Sequence, residues 1–125
     1  MQFVAVGVGA LLGANLRFVV GNWAAERWGV DFPYGTFIVN VSGAFAVGVI
    51  LAFMGERLGL SPLWRLFFVT GFLGGYTTFS SYAWEALVLA EEGAWVRAGV
   101  YVVGSNLVGF AGVWLGATLA RLVPA

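Results

Sequence analysis

The residues between Pro62 and Ala90 are apolar over a length sufficient to cross a bilayer, yet the middle of that stretch is composed against a regular helix. The window Gly71-Phe72-Leu73-Gly74-Gly75-Tyr76-Thr77-Thr78-Phe79-Ser80-Ser81-Tyr82 holds three glycines, two threonines and two serines. Glycine is a poor helix former, and hydroxyl side chains compete for backbone hydrogen bonds. A break here frees peptide carbonyls at membrane depth, where only protein or a water-filled cavity can satisfy them. In transport proteins such interruptions mark ion sites. Gly71 and Gly75 also form a small-xxx-small pair suited to close helix packing. The glycines alone favour packing; the clustered hydroxyls and aromatics shift the reading to an ion site.

The rest of the chain belongs in lipid as well. Hydrophobic residues make up 61% of it and charged residues 10%, against about 25% charged in soluble domains. Six acidic residues balance six basic ones, and every basic residue is arginine. A net charge of zero predicts no nucleic-acid partner. The sequence contains neither cysteine nor histidine. That removes disulfides, thiolate chemistry, the usual zinc and copper ligands and the commonest proton shuttle. An enzyme is therefore not expected. The opening Met1-Gln2-Phe3-Val4-Ala5-Val6 lacks the basic region of a signal peptide and is expected to begin a retained span.

A span needs about 20 apolar residues, and four candidates fit. They run from about Phe3 to Asn22, Tyr34 to Met54, Pro62 to Ala90 and Trp95 to Leu119. Charge collects in the connections, at Glu26, Arg27 and Asp31, at Glu56 and Arg57, and at Glu91 and Glu92. Trp23, Trp28, Trp64, Trp84 and Trp95 lie towards span ends, as an interfacial aromatic belt would. The expected fold is an all-α membrane protein of four transmembrane helices with a broken third helix, a single domain over residues 1–125.

Orientation follows from the arginines. Arg57, Arg65 and Arg121 fall on the side of the termini, and Arg17, Arg27 and Arg97 on the other. Positive residues normally accumulate in the cytoplasm, so an even division sets no orientation. The chain is expected to insert both ways up and to pair as an antiparallel, dual-topology homodimer. Pairing also doubles the polar lining available to an aqueous path and can set the third-span break beside its symmetry mate.

Polar groups inside the spans are few and informative. Thr36 and Asn40 are one helical turn apart and share a face. Asn40 suits either interhelical hydrogen bonding or pore lining. Tyr101 and Ser105 share a face of the fourth span with Gly109, while Asn106 sits on a rotated one. Glu85 is the one carboxylate well inside a span, in a stripe with Phe79 and Tyr82; it is either a functional acid or an interfacial, paired one. Arg17 can snorkel towards the interface. No arginine lies at a span centre. The inventory offers O–H and N–H donors and positive ring edges, which suit a small, hard anion. Broken-helix carbonyls suit a small cation. Spacing alone names neither ion.

Three segments resemble one family. Gly9-Ala10-Leu11-Leu12-Gly13-Ala14-Asn15-Leu16-Arg17 is similar to the G-x-x-x-G-A-x-x-R opening of the Fluc/CrcB fluoride channels. Gly35-Thr36-Phe37-Ile38-Val39-Asn40-Val41-Ser42-Gly43 resembles their G-T-hydrophobic-x-V-N-x-x-G segment, and Gly71 to Ser80 their G-F-x-G-G-x-T-T-F-S signature. The resemblance implies an antiparallel homodimer in a bacterial-type plasma (inner) membrane, exporting cytoplasmic fluoride passively through two pores at the interface. It implies a central structural sodium ion held by the backbone carbonyls of Gly74 and Thr77 of both subunits. It places Asn40, Phe79, Tyr82, Thr78, Tyr101, Ser105 and, more loosely, Glu85 along the pore. Arg17 takes a structural or vestibule role.

Two departures stand out. Tyr82 replaces the usual phenylalanine, adding a donor and bulk, and Gly109 replaces a serine often found one turn beyond Ser105. Water or Asn106 is a candidate substitute for that missing hydroxyl. Proton-coupled small multidrug exporters share the size and the antiparallel pairing, but depend on a first-span carboxylate that is missing here, since Glu26 falls beyond the span. A non-transporting scaffold would explain the glycines, but has no need of a hydroxyl-rich break or a buried amide.

Overall fold

Glycine punctuates the chain. Each of the three connections between long helical segments carries one glycine with positive φ, namely Gly29, Gly59 and Gly93. A computed structural model describes residues 1–124, and every regular element among them is helical. Helix α1 covers Gln2–Trp28 and stops at Gly29, with φ 80°. Helix α2 covers Tyr34–Arg57, and its last eight residues, Ile50–Arg57, wind as a π-helix. Helix α3 spans residues 62–76; it starts at Pro62, with the Ser61 hydroxyl accepting from Trp64 N, and is π-wound over Leu66–Leu73. Helix α4 is Phe79–Glu91 and α5 is Trp95–Leu122.

Helices α1, α2 and α5 are each long and apolar enough to cross a membrane. The third expected span is present as two helices separated at Thr77 and Thr78, so three continuous crossing helices stand where four spans were expected. The helices also outrun the apolar stretches that announced them. Glu26 and Arg27 occupy the last turn of α1, and Glu56 and Arg57 the end of α2, rather than loops. These residues propagate a helix well and stay within reach of water at its end.

Two seams of glycine join the helices in pairs. Gly9 and Gly13 of α1 lie against the α3 backbone, and Gly71 and Gly75 of α3 lie against α1. A Cβ on Gly71 would stand 2.6 Å from Val6 O, and one on Gly75 2.8 Å from Ala10 O. The second seam sets Gly48 of α2 against Val113 O and Gly116 of α5 against Phe45 O. Van der Waals contact between backbones drives such association in lipid, where apolar side chains gain nothing by leaving it. The packing use expected for Gly71 and Gly75 is therefore real. Gly74 differs: the nearest atom to a Cβ there is Val69 O at 3.7 Å, an ordinary contact.

Large apolar side chains such as Phe3, Phe110 and Trp114 point outward, while Val39 and Tyr101 are the largest fully buried ones. Where α2 meets the end of α5, Arg57 Nη1 donates to the carbonyls of Ala120, Arg121 and Val123, satisfying part of the helix terminus. Arg121 forms an ion pair with Glu56 at 2.9 Å beside it.

Candidate functional site

The break between α3 and α4 is the centre of the candidate site. Thr77 and Thr78 are extended, with φ/ψ of −84°/160° and −151°/119°. Interrupting a helix strands donors and acceptors on both sides, and side chains from three directions meet them. Thr77 N and Oγ1 both donate to Leu73 O, at 3.0 and 2.9 Å. Arg17 Nε, reaching from α1, donates to Gly75 O at 3.0 Å. Asn40 of α2 binds both backbone groups of Thr78: its Oδ1 accepts from Thr78 N at 2.7 Å, and its Nδ2 donates to Thr78 O at 3.0 Å. Thr78 Oγ1 then caps α4 by accepting from Ser81 N at 3.2 Å. Gly43 gives the break its seat, since a Cβ there would overlap Thr77 Cγ2.

One turn before Asn40, Thr36 Oγ1 lies 2.7 and 3.1 Å from the two carboxylate oxygens of Glu85. The acid is thus bound to a hydroxyl and not to an arginine. The two polar residues on that face of α2 take separate parts of the broken span, Thr36 its second half and Asn40 its joint. Nearby on α5, Tyr101 is fully buried, and neither Tyr101 Oη nor Ser105 Oγ has a hydrogen-bond partner among the described residues. Buried polar atoms are almost always satisfied, so such a pair calls for water or an ion.

Aromatic rings link the break to the end of the bundle. Phe79 and Tyr82 meet edge to face with centroids 5.8 Å apart, Tyr82 and Tyr101 at 5.2 Å, and Tyr101 and Phe32 at 5.4 Å. The series continues through Tyr34 and Trp28 to Trp23. Phe79, beside the break, is 79% exposed.

Two cavities flank this constellation. One of about 450 Å³ runs from the α1–α2 connection to Thr36 and Glu85, with Asp31, Glu92 and Arg97 also in its wall. A second, of about 430 Å³, opens at the break and is lined by Asn40, Gly43, Gly74, Thr77, Thr78 and Phe79. The sequence-predicted residues therefore fall into two groups. Arg17, Asn40, Gly74, Thr77, Thr78 and Phe79 gather at the break; Glu85, Tyr82, Tyr101 and Ser105 lie along α4 and α5. Thr36 belongs with the second group, and its one-turn spacing from Asn40 is the signal for it. Ser42 and Tyr76, whose hydroxyls lie 2.9 Å apart under the break, carried no such signal.

A family model described as CrcB-like protein, Camphor Resistance (CrcB), matches residues 4–117. The "Fluoride-specific ion channel FluC" of Roseiflexus sp. (strain RS-1) is 53% identical over 124 residues, covering 99% of this chain and 100% of the relative. Proteins of the same description from Chloroflexus aurantiacus and Solibacter usitatus are 46% and 45% identical, over 96% and 97% of this chain and 95% and 99% of their own lengths. With three apolar helices of crossing length and relatives aligned from end to end, the chain is a multi-pass membrane protein and belongs to the CrcB family.

Proposed function

We propose that this protein is a fluoride-selective ion channel that exports cytoplasmic fluoride passively across a bacterial-type plasma membrane. The observation that carries the reading is the pair of buried, unpartnered hydroxyls, Tyr101 Oη and Ser105 Oγ, on the side of α5 that meets Tyr82. Fluoride is strongly hydrated and enters only where donors replace lost water without holding it too firmly. Two hydroxyl donors and the positive ring edges of Phe79 and Tyr82 are matched to that demand. Fluoride, rather than another small anion, is favoured by the names of the relatives.

The broken span, residues 62–91, crosses the membrane as the third of four. The working unit is an antiparallel homodimer with two pores at its interface, lined by Asn40, Thr78, Phe79, Tyr82, Tyr101, Ser105 and Glu85. Support comes from the near-even arginine division, three (Arg57, Arg65, Arg121) against two (Arg27, Arg97), and from Phe79, a large ring left uncovered beside the break. A central sodium ion fits the donor set. Among the described residues, the side-chain and loop hydrogen bonds at the break reach the oxygens of Leu73, Gly75 and Thr78 and pass over those of Gly74 and Thr77. Two hard carbonyl oxygens per chain, doubled by a second copy, suit a small cation, whose positive charge would add to that of Arg17 at the break.

Liposomes loaded with fluoride and carrying the purified protein test this reading, with a fluoride electrode outside and chloride-loaded vesicles as control. Fast fluoride release with little chloride release is expected. Silence from a folded dimer overturns the function, and equal release of both ions overturns the selectivity.

A further inference from the structure

Asn106 stands one residue from the unpartnered Ser105, on a different face of α5, and none of its hydrogen bonds among the described residues goes to Ser105. Asn106 Nδ2 donates to Tyr82 Oη at 2.8 Å and to Val102 O, one turn back on its own helix, also at 2.8 Å. Tyr82 Oη donates in turn to Val102 O at 3.3 Å. An amide nitrogen has two hydrogens and a phenol has one, so this triangle occupies every donor at that corner. The Tyr82 hydroxyl, which the sequence offered as an extra donor for an anion, is therefore committed elsewhere. Its ring meets those of Phe79 and Tyr101 edge to face, at interplanar angles of 60° and 66°.

We infer that Asn106 is a positioning residue which fixes the Tyr82 ring so that a C–H edge, and not the hydroxyl, faces the ion path. The inference rests on the channel reading. Tyrosine at this place brings an O–H group that the phenylalanine of the related motif lacks. Left loose, that donor would bind a small anion in a charge-assisted hydrogen bond and slow its exit. Asn106 and the Val102 carbonyl hold it out of the way. The tyrosine and the asparagine form a matched pair, and the asparagine has a reason to be there only while the tyrosine is.

A double-substitution cycle tests this by fluoride efflux. Asn106→Leu in the Tyr82 background is expected to slow efflux about tenfold, the effect of one charge-assisted hydrogen bond on exit. In the Tyr82→Phe background the same substitution is expected to change efflux less than about twofold, because no hydroxyl remains to be released. Equal losses in both backgrounds would mean that Asn106 meets the ion itself, and no loss in the first would mean that it positions nothing; either overturns the inference. A second readout needs no transport. 3-Fluorotyrosine at position 82 is expected to shift its 19F resonance in Asn106→Leu, and not in Ser105→Ala, in the detergent-solubilised protein. An unshifted resonance overturns the positioning role. A shifted resonance in a protein that releases no fluoride keeps that role and removes the channel reading instead.

Discussion

Asn40 binds both backbone groups of one residue, Thr78, and the chemistry of an amide is what permits it. One end accepts and the other donates. Asn40→Asp keeps the acceptor for Thr78 N but sets an oxygen against Thr78 O. The lost bond and the repulsion are expected to destabilise the protein by about 1–3 kcal/mol. Thermal unfolding in detergent should show the lower midpoint, and fluoride efflux should fall with it. Unchanged flux from a folded Asn40→Asp dimer would remove this residue from the site. Thr36 offers a cleaner separation, because its hydroxyl alone carries the bond to Glu85. Thr36→Val is expected to reduce efflux several-fold and Thr36→Ser to retain it; identical behaviour of the two would show that the Glu85 contact has no part in conduction.

The helix seams set a different kind of limit. A Cβ at Gly13 meets the Phe72 carbonyl, whereas one at Gly7 has nothing within 4 Å. Gly13→Ala is therefore expected to lower stability by about 1–3 kcal/mol, while Gly7→Ala gains up to about 1 kcal/mol in helix propensity. Detergent melts of the two variants measure the contrast, and equal melting temperatures would mean that the α1–α3 seam yields freely. Much of this level was legible in the residues. Apolar runs announced the helices, and the crowd of glycines and hydroxyls placed the interruption between Gly71 and Tyr82. Helix ends were less legible, because Glu26, Arg27, Glu56 and Arg57 continue a helix as readily as they enter water. The π-winding of Ile50–Arg57 and Leu66–Leu73 left no trace in the pattern. Within the site, the family motifs pointed to Asn40 and Thr78, but not to the bonds between them. Those depend on how α2 and the break come into register, as does the Tyr82–Asn106 contact across 24 positions.

At the level of the whole molecule, Arg57, Arg65 and Arg121 stand towards one end and Arg27 and Arg97 towards the other; Arg17, counted with the latter from the sequence, instead lies near the middle of α1 at the break, which leaves a near-even division. A reporter fused to the C-terminus is expected on both sides of the membrane. Three added lysines beside it should force one orientation and abolish efflux, which a copy biased the other way should restore. One-sided reporting from the unmodified chain would defeat the antiparallel arrangement. The joint between α3 and α4 carries a further consequence. Arg17 holds it from α1 and Asn40 from α2, while Thr78 closes the start of α4. A joint fastened from two neighbouring helices has no slack for the backbone rotations that a hinge requires. The joint therefore cannot serve as a hinge, and in the channel proposed above the residues around it would keep one arrangement whether or not an ion is passing. Control of throughput would have to act away from the break, or through the number of copies the cell makes.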